Sequence, residues 1–418
     1  MKWKLVKISS FTDVVTGGTP STTVDEYWEK GTLPWLNSGD LNKGEINEAS
    51  NFITELGLKY CSTKIMPPNT VLIALTGATT GVTAILNIDA CANQSVTGIL
   101  PSEKHNSRFL YYFLKSQREK ILRKTWGGAQ PHINQKYVKD FVVPLPPLND
   151  QSHLANILTK AENLITQRKA SIRLLDEYLK STFLEMFGDP VKNEKSLTII
   201  ELGKLGNWKS GGTPSRKRDD FFKGNIIWIT SGELNEMFIS DSKEKITKEA
   251  ILNSNASEIQ VGSLLLGMYD TAALKSSINR KISTCNQAIA FAKLNESLCN
   301  SIYIFHTIQL GKDYFRSQQR GVRQKNMNLS MIKGIKIILP PIEEQSKFAQ
   351  LVEKTESIKD QYKKSLQELE NLYGSLSQKA FRGELSFNNE ILMMAAEPDV
   401  PYSKNAGVDQ LLSTHKLL

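Results

Sequence analysis

The sequence predicts an α+β protein with two similar domains and a pair of long helices. Three observations indicate this fold. Short motifs of the first half recur in the second half, apolar runs with turn signals fill the first part of each half, and a heptad pattern fills the second part. A chain of 418 residues is also too long for a single core, so two domains of ordinary size are expected.

The duplication rests on four motifs that recur in the same order. They are residues 17–21 with 211–215 (GGTPS in both), 35–42 with 228–235, 93–94 with 286–287 (Asn-Gln in both), and 146–152 with 340–346. The offset stays at 193 to 194 positions (228 − 35 = 193; 214 − 20 = 194). Solenoid repeats run to about 20–50 residues, so this period indicates a duplicated domain. Two similar binding surfaces on one chain indicate a target with two parts.

Residues 1–148 and 189–341 are predicted as the two α+β domains. Apolar runs at 71–75, 264–268, 141–143 and 335–339 predict buried strands, and the last two are closed by Pro-Pro pairs that cannot continue a ladder. Residues 109–124 and 300–309 predict short helices. The tail, 384–418, is expected to be largely irregular.

Residues 149–188 and 342–383 predict two long helices with a coiled-coil seam. Apolar positions recur at alternating steps of four and three over 154–186 and 348–380. About 33 residues at 1.5 Å each span roughly 50 Å, which is longer than such a domain is wide, so pairing of the helices is favoured over packing of each helix on its own domain. An antiparallel pair is favoured because the ends of a domain are often close together. Pseudo-two-fold symmetry between the domains would follow.

The composition narrows the class of protein. The apolar fraction of 40% and the charged fraction of 23% are typical of globular proteins, and no apolar run reaches the roughly 18 residues of a membrane helix. Four cysteines without a CxxC pair and a start without a signal peptide favour a reducing, cytoplasmic location and no zinc site. The net charge of +9 is compatible with a polyanionic partner.

The motifs typical of several enzyme classes are missing. The sequence has no GxxxxGK[ST], GxGxxG or HExxH motif, and none of its Pro-Pro pairs forms the Asn/Asp-Pro-Pro-aromatic element of an adenine methyltransferase. None of the five histidines recurs in both halves. The recurring residues are glycines, small polar residues, amides and tryptophans, a set that suits recognition better than catalysis.

These motifs together resemble a specificity subunit of a type I restriction–modification enzyme. The resemblance covers about residues 1–385 and includes the closing Phe-Arg-Gly-Glu-Leu of 381–385. It implies two target recognition domains that each read one half of a bipartite site in double-stranded DNA, with no membrane role. It also implies helices that bind two modification subunits, with restriction subunits as a further partner. Catalysis and S-adenosylmethionine would belong to the modification subunits, leaving this chain without a cofactor or a metal.

The GGTPS loops are the first candidate contacts with DNA. Their glycines let the backbone approach something closely, and both phosphate contact and a purely structural turn fit. The second loop continues into a basic run that is a candidate for phosphate contact. Trp35 and Trp228 are expected in the core, and the Asn-Gln pairs are expected to fix a loop. The candidates are Gly17, Gly18, Thr19, Ser21, Gly211, Gly212, Thr213, Ser215, Arg216, Lys217 and Arg218.

The segments before the last strand of each domain are the second set of candidates. Amide and guanidinium side chains pair with adenine or guanine edges in the major groove. The shared Gln130/Gln324 and Asn134/Asn328 are expected to be scaffold. The differing pairs His132/Asn326 and Ala129/Arg323 are better candidates for discriminating sequences. The candidates here are Gly128, Gln130, His132, Asn134, Lys136, Arg320, Arg323, Gln324, Lys325 and Asn326.

A second class of function remains open. A coiled-coil scaffold that binds protein or RNA through duplicated domains fits the same repeats. A shift assay with duplex DNA separates the two classes, because the scaffold would show no salt-sensitive binding.

Overall fold

The computed structural model describes residues 3–124, 131–269, 272–317 and 326–385. The chain forms two compact units: one contains the residues up to Gln167 and those from Leu366 onward, and the other contains Arg168–Ser365. Each unit therefore holds one α+β domain and about half of each long helix.

The first domain contains three sheets. Their strands are β1 Leu5–Lys7, β2 Val14–Thr16, β3 Leu33–Leu36, β4 Glu45–Ile46, β5 Asn51–Ile53, β6 Val71–Ala74, β7 Thr83–Leu86, β8 Cys91–Ala92, β9 Val96–Ile99 and β10 Val142–Pro144. The strand orders are β2-β9-β6-β7-β4, β5-β3-β8 and β1-β10. The helices are α1 Glu55–Lys59, α2 Ser107–Ser116, α3 Arg118–Leu122 and α4 Gln135–Asp140, followed by the long α5 Leu148–Phe187.

The second domain repeats this topology strand for strand. Its strands are β11 Thr198–Glu201, β12 Lys209–Ser210, β13 Ile226–Ile229, β14 Phe238–Ile239, β15 Glu244–Ile246, β16 Leu264–Gly267, β17 Ser276–Asn279, β18 Thr284–Cys285, β19 Ile289–Ala292 and β20 Lys336–Leu339. The orders β12-β19-β16-β17-β14, β15-β13-β18 and β11-β20 match those of the first domain. The helices are α6 Lys248–Leu252, α7 Ser301–Leu310, α8 Lys312–Ser317 and α9 Leu329–Lys333, followed by the long α10 Ile342–Arg382.

The central strands are buried on both faces. In β6, Val71 and Ile73 pack into a core shared with α2, whereas Leu72 packs with residues of β3 and β7. In β16, Leu264 and Leu265 likewise enter different clusters. Side chains alternate between the faces of a strand, so a strand covered on both sides is an uninterrupted apolar run. This explains why the strands predicted at 71–75 and 264–268 are confirmed. The strands predicted at 141–143 and 335–339 are present as β10 and β20.

The predicted helices are confirmed with one refinement. The run at 109–124 forms two helices, because α2 ends at Ser116 and α3 begins at Arg118, with Gln117 between them. The short helices α4 and α9 were not predicted. Each begins after an asparagine whose Oδ1 accepts a backbone hydrogen bond, from Tyr137 N for Asn134 and from Met331 N for Asn328.

The long helices begin directly after the Pro-Pro pairs and end at glycines. Gly188 and Gly383 follow α5 and α10 with φ of 75° and 73°, the left-handed conformation that commonly terminates a helix. In one unit, Leu154 near the start of α5 clusters with Ala380 near the end of α10. In the other unit, the ring of Phe183 lies 5.4 Å from that of Phe348 at the start of α10. The helices are therefore antiparallel, as predicted.

The predicted seam is the buried side of both helices, since every seam position is buried or half-buried. Two of its polar members have partners on the other helix. Lys359 Nζ lies 2.5 Å from Asp176 Oδ1, and the Arg168 guanidinium lies 4.3 Å from the centre of the Tyr362 ring. The pseudo-two-fold rotation between the domains stays a prediction. Among the described residues, no helix is long and apolar enough to cross a membrane.

Candidate nucleic-acid interface

The two tryptophans hold the GGTPS loops against the domain cores. The Nε1 group of Trp35 donates to the carbonyl of Gly18, and that of Trp228 donates to the carbonyl of Gly212, both at 3.0 Å. Trp35 is 8% exposed and Trp228 is 1% exposed. The prediction that both belong to the core is confirmed, and each links two of the recurring motifs.

The loop glycines are required by the protein's own backbone. A Cβ on Gly17 would lie 2.1 Å from Ala92 O, and one on Gly211 would lie 2.3 Å from Cys285 O. The N–H groups of Gly17 and Gly211 donate to Val96 O and Ile289 O, at 3.0 Å each. The N–H groups of Gly18 and Gly212 likewise donate to Ala92 O and Cys285 O. These N–H groups are not free for a phosphate, so the structural turn explains Gly17, Gly18, Gly211 and Gly212.

The Asn-Gln pairs fix the same loops, as predicted. Asn93 Oδ1 accepts from Ser95 N at 3.0 Å, and Asn286 Oδ1 accepts from Ala288 N at 3.2 Å. The neighbouring glutamines accept hydrogen bonds from the exposed loop threonines, Thr19 to Gln94 and Thr213 to Gln287. Thr19, Ser21, Thr213 and Ser215 remain exposed candidates.

The arginines of the basic run are already paired. Arg216 donates to both carboxylate oxygens of Glu244, at 2.6 and 2.8 Å, and its guanidinium lies 4.3 Å from the Phe222 ring centre. These hydrogen bonds lower the pKa of Glu244.

Arg218 is held in a similar way. It donates to both carboxylate oxygens of Asp220, at 2.8 and 2.6 Å, and lies 3.2 Å from Glu249. Lys217 is exposed and has no ion pair with the described residues. A phosphate would have to compete with carboxylates for Arg216 and Arg218, which the sequence did not reveal.

The second set of candidates is only partly described. Gly128, Ala129, Gln130, Arg320, Arg323, Gln324 and Lys325 lie outside the described residues. Asn134 and Asn328 cap helices, which supports their prediction as scaffold. His132 and Lys136 are exposed, and Asn326 is half-buried.

One backbone arrangement brings the candidate segments together in each domain. Leu75 N donates to Ser95 O at 2.8 Å, and its carbonyl accepts from Ile133 N at 2.9 Å. At the equivalent position, Met268 N donates to Ala288 O at 2.9 Å, and its carbonyl accepts from Met327 N at 2.7 Å. The end of the central strand therefore lies between the Asn-Gln loop and the segment before the last strand.

The side chains displayed on this shared arrangement differ between the domains. In the first domain Thr76 Oγ1 donates to Ser95 Oγ at 2.8 Å, and the backbone of Thr76 forms a bridge with His132. In the second domain the same positions hold Tyr269, which is 39% exposed, and Ala288. Thr76, Ser95 and Tyr269 were not among the residues predicted from the sequence. A sequence signal was available, because Thr76 and Tyr269 differ directly after the apolar run that both halves share.

The chemistry expected of an enzyme is not evident in the described residues. They contain no group of three or more side chains suited to hold a metal ion. Burial raises the pKa of the Cys91 thiol to about 11 and that of Cys299 to about 12, and it also raises that of Cys285, which opposes thiolate formation.

Comparison with known proteins gives one consistent family. The family model described as a type I restriction modification DNA specificity domain matches residues 1–174 and 194–371. The chain is 28% identical over 279 residues to the MjaIX specificity subunit of Methanocaldococcus jannaschii, covering 59% of this chain and 64% of the relative. It is 30% identical over 153 residues to the EcoR124I/EcoR124II specificity subunit of Escherichia coli, covering 35% and 38%. These two alignments each span less than two thirds of the relative's length.

Longer matches exist at lower identity. The MjaVIII specificity subunit of M. jannaschii is 22% identical over 420 residues, covering 93% of this chain and 94% of the relative. The solved S subunit of a type I system from M. genitalium has 18% identity and a TM-score of 0.57, covering 91% of this chain and 96% of that chain. That structural likeness concerns the fold. With the family model matching both halves, the chain belongs to the type I restriction modification DNA specificity domain family.

Proposed function

We propose that this chain recognises a bipartite DNA sequence as the specificity subunit of a type I restriction–modification complex. One observation carries the proposal: a single scaffold is built twice, and the side chains at equivalent positions beside its loops differ, with Thr76 exposed in one copy and Tyr269 in the other. Thr76 and Ser95 occupy the positions of Tyr269 and Ala288 on matching backbone hydrogen bonds. A duplicated reader with different side chains suits a target with two different halves.

The displayed groups suit recognition of bases and backbone. Hydroxyl and amide side chains donate to and accept from base edges in the major groove, while cations contact phosphates. The first domain offers Thr19, Thr76 and His132 around its loops, and the second offers Thr213 and Tyr269. On this proposal the shared Trp and Asn-Gln residues hold the loops, and the differing residues select the sequence.

The long helices support the proposed assembly. The exposed faces of α5 and α10 are rich in charged residues and remain open to partners along their length. We propose that they set the separation of the half-sites and bind modification subunits, two per chain, with restriction subunits as further partners in the cytoplasm. The modification subunits would bind S-adenosylmethionine and perform catalysis, and this chain would be non-catalytic.

Sequencing of methylated DNA tests the proposal directly. Cells that express this chain with its modification subunit should methylate a bipartite motif. Exchanging residues 195–335 for the same region of a related subunit should change one half of the motif and leave the other intact. A matched hybrid that exchanges residues 1–141 should change the opposite half.

Two outcomes contradict the proposal. A hybrid that changes both halves would show that the domains do not read independently. If the assembled complex showed no salt-sensitive binding to duplex DNA, the alternative of a scaffold for protein or RNA would be favoured.

A further inference from the structure

A strained loop in the second domain lies beside an unpaired group of cations. The loop joins β16 to β17, and its residue Leu274 has a φ of 58° while its side chain is fully buried. The equivalent residue of the first domain is Gly81, with a φ of 76°. A leucine is strained in this conformation, and such strain persists where the surrounding structure enforces it, often at binding sites.

Three cations gather around this loop. Lys275 follows Leu274 directly, and its Nζ donates to Asn235 Oδ1 at 2.9 Å. Lys312 and Arg316 lie one turn apart on α8. The end of α7 is held against the loop by Gln309, whose Nε2 donates to Leu274 O at 2.9 Å and to Ser276 Oγ. This contact brings the start of α8 next to Lys275.

The excess positive charge of this cluster is not neutralised by ion pairs with the described residues. Lys275, Lys312 and Arg316 are all half-buried, yet none forms an ion pair within the described part of the chain. Burial lowers the pKa of Lys312, and the nearby charges of Arg316 and Lys275 lower it further, while the neighbouring Asp313 offsets only part of this. Half-buried cations that repel one another are stabilised when an anion binds between them.

The first domain lacks this cluster. The residues equivalent to Lys275, Lys312 and Arg316 are Val82, Arg118 and Leu122, so one cation stands in place of three. Arg118 donates to Ala78 O at 3.3 Å and thereby closes its own loop. The three-cation cluster is therefore specific to the second domain, which the shared fold alone does not require.

We propose that Lys275, Lys312 and Arg316 form a phosphate-binding cluster that grips the DNA backbone beside the base-reading loop of the second domain. The inference rests on the proposed function and deepens it. The same loop carries Tyr269 and Lys275 at its two ends, so the cluster would position the backbone next to a candidate base reader. It also assigns phosphate contact to these residues in preference to Arg216 and Arg218, which are paired with carboxylates.

Two triple variants of equal charge test this assignment. K275Q/K312Q/R316Q removes the cluster, and R216Q/K217Q/R218Q removes the basic run; each lowers the net charge from +9 to +6 (9 − 3). Glutamine keeps the first two methylenes of each aliphatic stem, which limits loss of packing. Both are assembled as full chains with the modification subunit, and duplex binding is measured from about 50 to 200 mM salt, a range over which phosphate contacts change affinity steeply.

The cluster variant should flatten the plot of log affinity against log salt by about 2 to 3, because each phosphate contact contributes about 0.9 to the slope. The loss should be the same on cognate and unrelated duplexes. The basic-run variant should flatten the slope by about 1 or less, since only Lys217 is unpaired. The single variant Lys312→Gln, with less risk to folding, should flatten it by about 0.9.

An unchanged slope, or equal flattening by the two triple variants, would overturn the inference. So would loss of assembly with the modification subunit in the cluster variant while Lys312→Gln keeps the full slope, because the cluster would then be a protein contact. A parent complex without salt-sensitive binding would instead refute the proposed function itself.

Discussion

The two recognition domains agree where residues hold the backbone and differ where side chains face outward. Trp35 and Trp228 make equivalent hydrogen bonds to their loops. Gln94 and Gln287 likewise accept from equivalent loop threonines, Thr19 and Thr213. Tyr269, by contrast, stands where the first domain has Thr76. Duplication has kept the residues that hold the loops, so on the proposed function the exposed residues that differ are the candidates for contact with each domain's own target.

The domains also support the same loop by different means. In the first, Trp28 Nε1 donates to Ser21 O at 3.0 Å and its ring packs edge-on against Trp35. In the second, Phe222 takes the place of Trp28, and Arg216 lies over its ring. The hydrogen bond of Trp28 to the loop is thus absent from the second domain, where Arg216 instead packs on Phe222 and forms an ion pair with Glu244.

The largest expected effect comes from a methyl group on the shared loop. Gly17→Ala and Gly211→Ala should each destabilise their domain by about 3 kcal/mol, since the added Cβ would clash with backbone oxygens 2.1 and 2.3 Å away. Urea unfolding measures both. Gly232→Ala is the control, because nothing lies within 4 Å of its Cβ position. If Gly17→Ala left stability unchanged while Gly211→Ala lowered it, the glycine loop would not have the same structural role in both domains.

The second prediction uses a buried difference between the copies. His105 is buried and His306 is half-buried, and loss of contact with water lowers the pKa of each to about 4. They are not equivalent, since Cys299 and Tyr112 occupy the corresponding positions. The folded pKa lies below the ordinary value of 6.5, so the unfolded chain binds the proton more readily. The free energy of unfolding should therefore fall between about pH 6.5 and 4, by up to about 3 kcal/mol for each histidine.

Urea midpoints measured across this pH range test the effect. His306→Phe should remove its share of the pH dependence from the second domain, and His105→Gln should do so in the first. Gly232→Ala, at an open surface position, should keep the full dependence. If the His306 and His105 variants titrate like the parent, the two side chains do not stay neutral in the fold.

Much of the fold was predictable because its signals are local. A strand buried on both faces appears in the sequence as a short apolar run. A long coiled-coil helix appears as apolar residues at alternating steps of four and three. The sheet orders were not predictable, since pairs such as Trp35 with Cys91 join residues far apart in the chain. The helices α4 and α9 are six and five residues long, too short for periodicity to identify.

The site was predictable only where the two copies share a residue. Trp35, Asn93 and their counterparts recur, and their structural roles followed from that. The pairs of Arg216 with Glu244 and of Arg218 with Glu249 could not be seen, because these residues lie 28 and 31 positions apart, whereas Asp220, the bidentate partner of Arg218, is only two positions away. The glycines fitted two explanations until the positions of the facing oxygens were known.

The third prediction tests the difference between Thr76 and Tyr269. Tyr269→Ala should alter the base preference in one half-site and leave the other unchanged, because a base contact contributes about 1–3 kcal/mol of discrimination. Sequencing of methylated DNA measures both halves at once. Ile282→Ala is the control, since this side chain is 53% exposed in the same domain and follows β17 at the end opposite the loop. An unchanged motif in the Tyr269 variant would remove this residue from the base-reading surface.

The smallest expected effect tests whether the carboxylate beside Arg216 restrains it. Glu244 occupies the position of Asn51, since each is the register partner of the loop-holding tryptophan. Glu244→Gln should therefore make the second domain resemble the first at this position, because an amide replaces the carboxylate. An exposed ion pair contributes less than about 1 kcal/mol, so unfolding should change little.

Freeing the guanidinium should nevertheless strengthen DNA binding if the loop borders the backbone, and the salt slope should steepen by about 0.9, the value of one added phosphate contact. Glu249→Gln is the matched control, because Arg218 keeps both hydrogen bonds to Asp220 and should bind as before. If Glu244→Gln leaves affinity and slope unchanged, Arg216 does not reach the DNA. Arg216 would then serve only to support the loop through its contacts with Phe222 and Trp228. The difference between the two domains at this position would be structural.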